Sequence, residues 1–269
     1  MIEVIDLFCG AGGVTTGIEK AKYRGIKCAN VIACINHDPV AIASHAANHK
    51  GVLHFTEDIT QFDFTKFPAW TPGAVKILWA SLECTNFSNA KGGLPKEKKS
   101  RTLGEHLYRR KVGRKYVYHS YIQHLDPHYI LVENVREFMT HWGPLDKTGK
   151  VIKGKKDIHF KRWVKTIKKL GYTYTFKMIN CADHGARTTR KRLFICFAKH
   201  GLPVLFPPQT HSKISGHGLK KWKPVKDVIN FSDEGYSIFD RKTNTDIPPR
   251  FRKNISPKTF RRIYRGLVK

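Results

Sequence analysis

The chain has 269 residues, enough for one large domain with an appendage, and carries 49 Lys and Arg against 21 Asp and Glu, a formal net charge of +28. A field of that sign attracts polyanions, so nucleic acid is the first expected partner. No apolar run approaches the roughly 18 residues of a membrane span and no signal peptide precedes the first strand, so a soluble, cytoplasmic protein with no membrane contact is expected.

Residues 3–8 read as a strand, Cys9-Gly10-Ala11-Gly12-Gly13 as a tight turn and residues 14–21 as a helix, the opening unit of a doubly wound sheet. Thr15 stands where a dinucleotide fingerprint needs its third glycine. The turn therefore suits a bulky ligand lying close to the backbone rather than a pyrophosphate. A second strand over 30–35 leads through Asn36-His37-Asp38-Pro39 into a helix over 40–48, with Asp38 as its cap and Pro39 in its first turn. Asn36 and Asp38, at a strand end, are candidates to receive ribose hydroxyls. His45 and His49, and His124 and His128, read as surface or packing histidines. The six cysteines contain no Cys-x-x-Cys pair, and no metal centre is expected.

A third strand ends at Asp58-Ile59-Thr60, and an apolar strand over 75–80 runs into Ser81-Leu82-Glu83-Cys84-Thr85-Asn86-Phe87-Ser88 and a glycine-rich loop over 89–93. A cysteine at the carboxyl end of a strand sits where open α/β sheets bind ligands, so Cys84 is the candidate nucleophile. Residues 103–125 read as a polar helix facing nucleic acid. A strand over 129–132 ends at Glu133-Asn134-Val135, on the same edge as Cys84. A helix over 158–170 precedes a strand over 172–180 and its antiparallel partner over 192–197, with the basic turn 185–192 between them placed for phosphate or base contact. The whole predicts an α/β fold: a doubly wound, mostly parallel, Rossmann-like sheet with an antiparallel hairpin at one edge. Residues 1–200 form the core, and 201–269 an extended basic segment ending in a short helix over 256–269.

Taken in order, these motifs resemble those of the DNA cytosine-5 methyltransferases. Asp6-Leu7-Phe8-Cys9-Gly10-Ala11-Gly12-Gly13 is similar to the family's first cofactor motif, Asp58-Ile59 to its adenine-contacting strand end, and Cys84 with Phe87-Ser88 to its nucleophile loop. Glu133-Asn134-Val135 matches its Glu-Asn-Val element and Arg190-x-Arg192 its Arg-x-Arg pair. The resemblance implies a SAM-dependent methyltransferase acting on a cytosine flipped from duplex DNA, with S-adenosylmethionine as methyl donor. Cys84 would add to C6, Glu133 would serve N3, Asn134 would orient the loop, and Arg192 with Arg190 would hold the base oxygen and nearby charge. Asp6, Phe8, Cys9, Gly10, Gly12 and Gly13 would form the cofactor turn, with Phe8 against the adenine, Asp58 and Ile59 at its edge, and Asn36 or Asp38 at the ribose.

The pattern departs from the family in places. Glu83-Cys84-Thr85 replaces Pro-Cys-Gln, and a carboxylate pointing inward there would raise the thiol's pKa. Arg187-Thr188 replaces Pro-Gln, and Asn36 stands for the usual acid. The sequence after 256 resembles the helix preceding a target-recognition region, so the expectation is a fragment or one part of a split enzyme, with a second polypeptide reading the target. An RNA cytosine-5 methyltransferase and a non-catalytic nucleic-acid-binding remnant are the alternatives.

Overall fold

The computed structural model describes residues 1–84, 87, 100–112, 115–117, 120–204, 206–214, 216–230 and 232. The sequence-level expectations for Thr85, Asn86, Ser88, the loop 89–93 and the helix 256–269 lie outside the described residues. By chain contacts it divides into two units, Met1–Lys223 and Pro224–Lys269. In the second, Val225–Val228 is a short 3-10 turn.

The first unit is built on seven strands: β1 (Ile2–Leu7), β2 (Ala29–Asn36), β3 (Leu53–Thr56), β4 (Val75–Ala80), β5 (Tyr129–Asn134), β6 (Tyr172–Asn180) and β7 (Lys191–Lys199). Across the sheet their order is β6-β7-β5-β4-β1-β2-β3. All neighbours from β5 to β3 are parallel, whereas β7 is antiparallel to both β5 and β6. The expected fold, including its antiparallel edge hairpin, is the one observed. The strand order reverses on either side of β1, and such a switch point opens a crevice at the carboxyl ends of the strands.

Period-two alternation puts apolar residues on both faces of β1, as a sheet covered on both sides requires. Val4 joins Cys9, Val31, Cys34, Ile42 and Val52 in one cluster, which includes a residue of α2 (Pro39–Asn48) and has Ile18 of α1 (Gly13–Glu19) against it. Ile5 and Leu7 join the larger cluster on the opposite face. Helix α1 stops before the expected 21, because Lys22–Tyr23 and Ile26–Lys27 form a hairpin whose turn holds Arg24 and Gly25 at positive φ. Helix α2 starts as expected: Pro39 lies in its first turn, and the Asp38 carboxylate accepts from the Val40 and Ala41 amides.

The expected helix over 103–125 is not formed. Ser100–Leu107 is a 3-10 stretch, Arg110–Val112 pairs with Lys115–Val117, and only α3 (Tyr121–Leu125) is α-helical. Leu107, Tyr108, Tyr121, Ile122 and Leu125 are buried, so much of the segment packs into the core. Gly104 shows one physical reason. Its carbonyl accepts from the Trp163 indole at 2.7 Å, and a Cβ there would sit 2.9 Å from the Trp142 ring. Tertiary contact, rather than helical propensity, decides this stretch.

Helices α4 (Arg136–Thr140) and α5 (Ile158–Lys169) complete that face. Phe138, Trp142, Phe160 and Trp163 form one aromatic cluster with ring centroids 4.7–6.0 Å apart. Phe87 enters it against Phe138 at 5.2 Å. No helix among the described residues is long and apolar enough to cross a membrane.

Candidate active site

The carboxyl ends of β1, β2 and β3 surround a cavity. Phe8 comes from just beyond β1, Ile35 and Asn36 from β2, and Glu57, Asp58 and Ile59 from the turn after β3; Glu83 and Leu103 close it from the far side. Phe8 has a φ of 60°, a left-handed conformation unfavourable for a non-glycine residue. Packing against the larger core and the bond from the Cys9 amide to the Ile35 carbonyl hold that turn.

The cavity fits an adenosyl group bearing a positive charge. Phe8, Ile35, Ile59 and Leu103 offer apolar surface to a purine, and Asn36 with the acids offers acceptors to amino and hydroxyl groups. Three carboxylates, those of Glu57, Asp58 and Glu83, line it, and no lysine or arginine does among the described lining residues. That balance favours a sulfonium or ammonium over a phosphate. The Asp58 carboxylate accepts from the Thr60 amide at 2.8 Å, Glu57 pairs with Lys66 at 3.1 Å, and the Asn36 oxygen accepts from the Asp38 amide at 2.9 Å.

Of the residues singled out for a cofactor, Phe8, Asn36, Asp58 and Ile59 meet here. The others lie outside this lining. Asp38 is an exposed helix cap away from the lining. Asp6 points to the α1/α2 face of the sheet and is fully buried; it accepts from the Thr15 hydroxyl at 3.1 Å. Burial pushes its carboxyl up to about 7, with the Thr15 bond pulling the other way. Cys9 is buried on that face too, and its thiol is raised strongly by its hydrogen bond with Cys34 and by burial. Gly12, at φ 95°, abuts His49 and His45: a Cβ there would lie 2.8 Å from the His49 ring. Gly10 and Gly13 have open space where a Cβ would stand. Glu57 and Leu103 were not singled out by the sequence; the one available signal was the position of Glu57 beside Asp58 at a strand end.

The catalytic candidates gather farther along the same edge. Ala80 pairs with Val132, so Cys84 beyond β4 and Glu133 at the end of β5 lie on neighbouring strand ends. Cys84 is a half-buried free thiol. Asn134 is buried and serves both neighbours: its amide donates to the Leu82 carbonyl at 3.0 Å, and its oxygen accepts from the Val135 amide at 2.8 Å. On the other side of Cys84, the Phe87 amide donates to the Cys84 carbonyl at 2.9 Å while the Phe87 ring is locked in the aromatic cluster. The segment that carries Cys84 is thus held before and after the thiol.

Arg192 at the start of β7 reaches Glu133, with Nε 2.9 Å from Oε1. Burial raises the Glu133 carboxyl above the usual range, and the charges of Arg192 and Arg190 oppose that rise. The Arg190 side chain is exposed at the same edge, and its carbonyl accepts from the Cys181 amide at 2.9 Å. Glu83, beside Cys84, lines the cofactor-sized cavity.

The sequence is similar to that of known proteins along nearly its whole length. Residues 2–264 match the family model for C-5 cytosine-specific DNA methylases. It is 28% identical to the type II methylase M.HgiDII of Herpetosiphon aurantiacus, over 87% of this chain and 55% of that protein. It is 30% identical to the type II methyltransferase M.NgoBI of Neisseria gonorrhoeae, over 87% of this chain and 62% of that protein. The chain therefore spans between half and two thirds of each of these relatives. Among solved structures, the fold is similar to that of a prophage-encoded DNA modification methyltransferase of E. coli, with a TM-score of 0.53 and 22% identity, over 74% of this chain and 47% of that one. The methyltransferase EhMeth of Entamoeba histolytica also gives a TM-score of 0.53, at 17% identity over 83% of this chain and 57% of its own.

Proposed function

The chain belongs to the C-5 cytosine-specific DNA methylase family, and we propose that it methylates C5 of a cytosine in DNA through a covalent bond between Cys84 and C6. The observation that carries this reading is the pair of bonds from Asn134 and Phe87 that fix the chain on both sides of Cys84, next to the Glu133–Arg192 ion pair. A thiol at a strand edge needs no such bracing to pack. A nucleophile that must meet one ring carbon does.

Cytosine C5 is a weak nucleophile. As Cys84 Sγ bonds to C6, the C5–C6 double bond opens and its electron pair becomes available at C5, with charge spreading toward N3 and O2. Protonated Glu133 holds that charge by donating to N3, and Arg192 with Arg190 faces the oxygen. Once C5 carries the methyl group, loss of the C5 proton to a base restores the double bond and expels the Cys84 thiolate, while N3 returns its proton to Glu133. S-adenosylmethionine supplies the electrophilic methyl group; Phe8, Asn36, Asp58 and Ile59 would hold its adenosine, and the carboxylates around the cavity would complement its charge. The base reaches Cys84 only when flipped out of the duplex, a cost of a few kcal/mol met by protein–DNA contacts.

The test is covalent trapping. Duplex DNA containing 5-fluorocytosine cannot lose its C5 substituent after methyl transfer, so the adduct persists. We expect an adduct that requires S-adenosylmethionine and disappears in Cys84→Ser. The assay is run with the chain alone and with a second polypeptide carrying the part of the relatives' length that this chain does not span, the proposed target-reading partner. An adduct formed on RNA but not on DNA would reassign the substrate. Cofactor binding with no adduct on either, in both formats, would overturn the catalytic reading.

A further inference from the structure

Behind the glycine turn, on the face of the sheet away from the cavity, lies a cluster that methyl transfer does not use. Cys9, Cys34 and His45 are all buried, and one ligand atom from each lies within 4.8 Å of the others. His45 Nδ1 is 3.9 Å from Cys34 Sγ and 2.8 Å from His54 Nε2. Three soft or borderline donors, two sulfurs and one imidazole nitrogen, thus converge from the turn after β1, from β2 and from α2, and a second imidazole, that of His54 on β3, adjoins the third. We propose that Cys9, Cys34 and His45 form a binding site for a thiophilic divalent cation, zinc above all, with His54, beside His45, swinging in as the fourth ligand.

Binding would draw the donors inward, the widest separation of the trio, within 4.8 Å, closing by about an ångström. Tetrahedral zinc with Zn–S near 2.3 Å and Zn–N near 2.05 Å places sulfur and nitrogen donors about 3.6 Å apart and two nitrogens about 3.3 Å apart. The Cys34–His45 separation needs to close by only a few tenths of an ångström, and the two imidazoles to part by about half an ångström. Two thiolates would neutralise the ion at this buried position.

The surroundings of His45 are those of a ligand. Its Nε2 is 3.0 Å from the Thr15 hydroxyl, which in turn donates to the Asp6 carboxylate. Thr15 therefore accepts the Nε2 proton, and the lone pair is left on Nδ1, the atom facing Cys34 and His54. Metal-bound imidazoles are oriented by such a bond from the opposite ring nitrogen to a carboxylate or its relay. The ion would tie the turn carrying Phe8 to the strand carrying Asn36, two walls of the adenosyl cavity. Zinc would therefore set the shape of that pocket without touching its occupant.

The test uses the full chain, reduced and free of affinity tags, titrated with cobalt(II) alone as a spectroscopic probe. We expect one tightly bound ion per chain, thiolate-to-cobalt charge-transfer absorption and the intense visible bands of a four-coordinate site, all lost on adding zinc. Cys34→Ser should weaken binding at least about 100-fold, and His54→Asn about 10- to 100-fold. His54 is half-buried at the rim of the cluster, so its variant should keep the metal-free fold by circular dichroism. The double variant Cys28→Ser, Cys181→Ser should bind as the parent does. Absence of charge-transfer absorption in the folded parent, or its survival in both Cys9→Ser and Cys34→Ser, would overturn the site and leave a packed thiol–imidazole cluster.

Discussion

Removing the Asn134 side chain would leave the Leu82 carbonyl and the Val135 amide without their partners in a buried place, at about 1–3 kcal/mol for each unmatched group. Asn134→Ala is therefore expected to lower the urea midpoint measurably. It should also slow Cys84 adduct formation at least about 100-fold, since a shift of about an ångström at the nucleophile has that effect. Adduct formation at the parental rate would show that the brace is only structural. Glu133 gives a second prediction at this scale. Its carboxyl is raised by burial and restrained by Arg192 and Arg190, so Arg192→Gln should move its titration upward, as read by carbon-13 NMR of labelled glutamate. The folded chain holds this proton more tightly than the unfolded one. Its contribution to stability is therefore full below the ordinary carboxylate pKa and is lost as pH rises through the folded value, over a wider range in Arg192→Gln. An unmoved titration would mean that the ion pair contributes nothing to tuning.

At the scale of elements, the glycine turn is the sharpest case. Gly12→Ala combines a left-handed φ with a Cβ 2.8 Å from the His49 ring, so a loss of roughly 1–3 kcal/mol is expected in urea unfolding. Gly13→Ala, with nothing in the way, should be nearly neutral. Equal losses would refute this account of the turn. The same turn shows what can be read from sequence. Strands and their edge residues follow from period two and from apolar runs, and β6 falls on its expected residues because Gly171 precedes it and the 3-10 turn Cys181–His184 follows. Which way a side chain faces is harder. Asp6 belongs to a recognisable motif, yet alternation along β1 sends it away from the cavity toward Thr15 and His45. His45, read as a packing or surface residue, is buried in the fold; what the sequence hid is its company, because Cys9, Cys34 and His54 come from other elements. The 103–125 stretch misled for a related reason: Gly104 answers to Trp142 and Trp163, far along the chain.

At the scale of the whole molecule, the net charge of +28 governs how the chain would meet the DNA proposed as its substrate. If six to ten phosphates are contacted, affinity for duplex DNA should fall by about 10³- to 10⁵-fold between 50 and 200 mM salt, in a plot of log K against log salt. A shallow slope would mean that the basic surface faces something else. The strand order carries a different consequence. β7 lies between β5 and β6 although it is the last of the three to be synthesised. Until residue 199 has left the ribosome, β6 has no seat on the sheet, and β5, with Ile130 and Val132 on it, is an open apolar edge. A nascent chain stopped anywhere between Asn134 and Lys199 therefore offers a template for pairing with its neighbours, and chaperone protection in the cell will be needed most during that interval of translation.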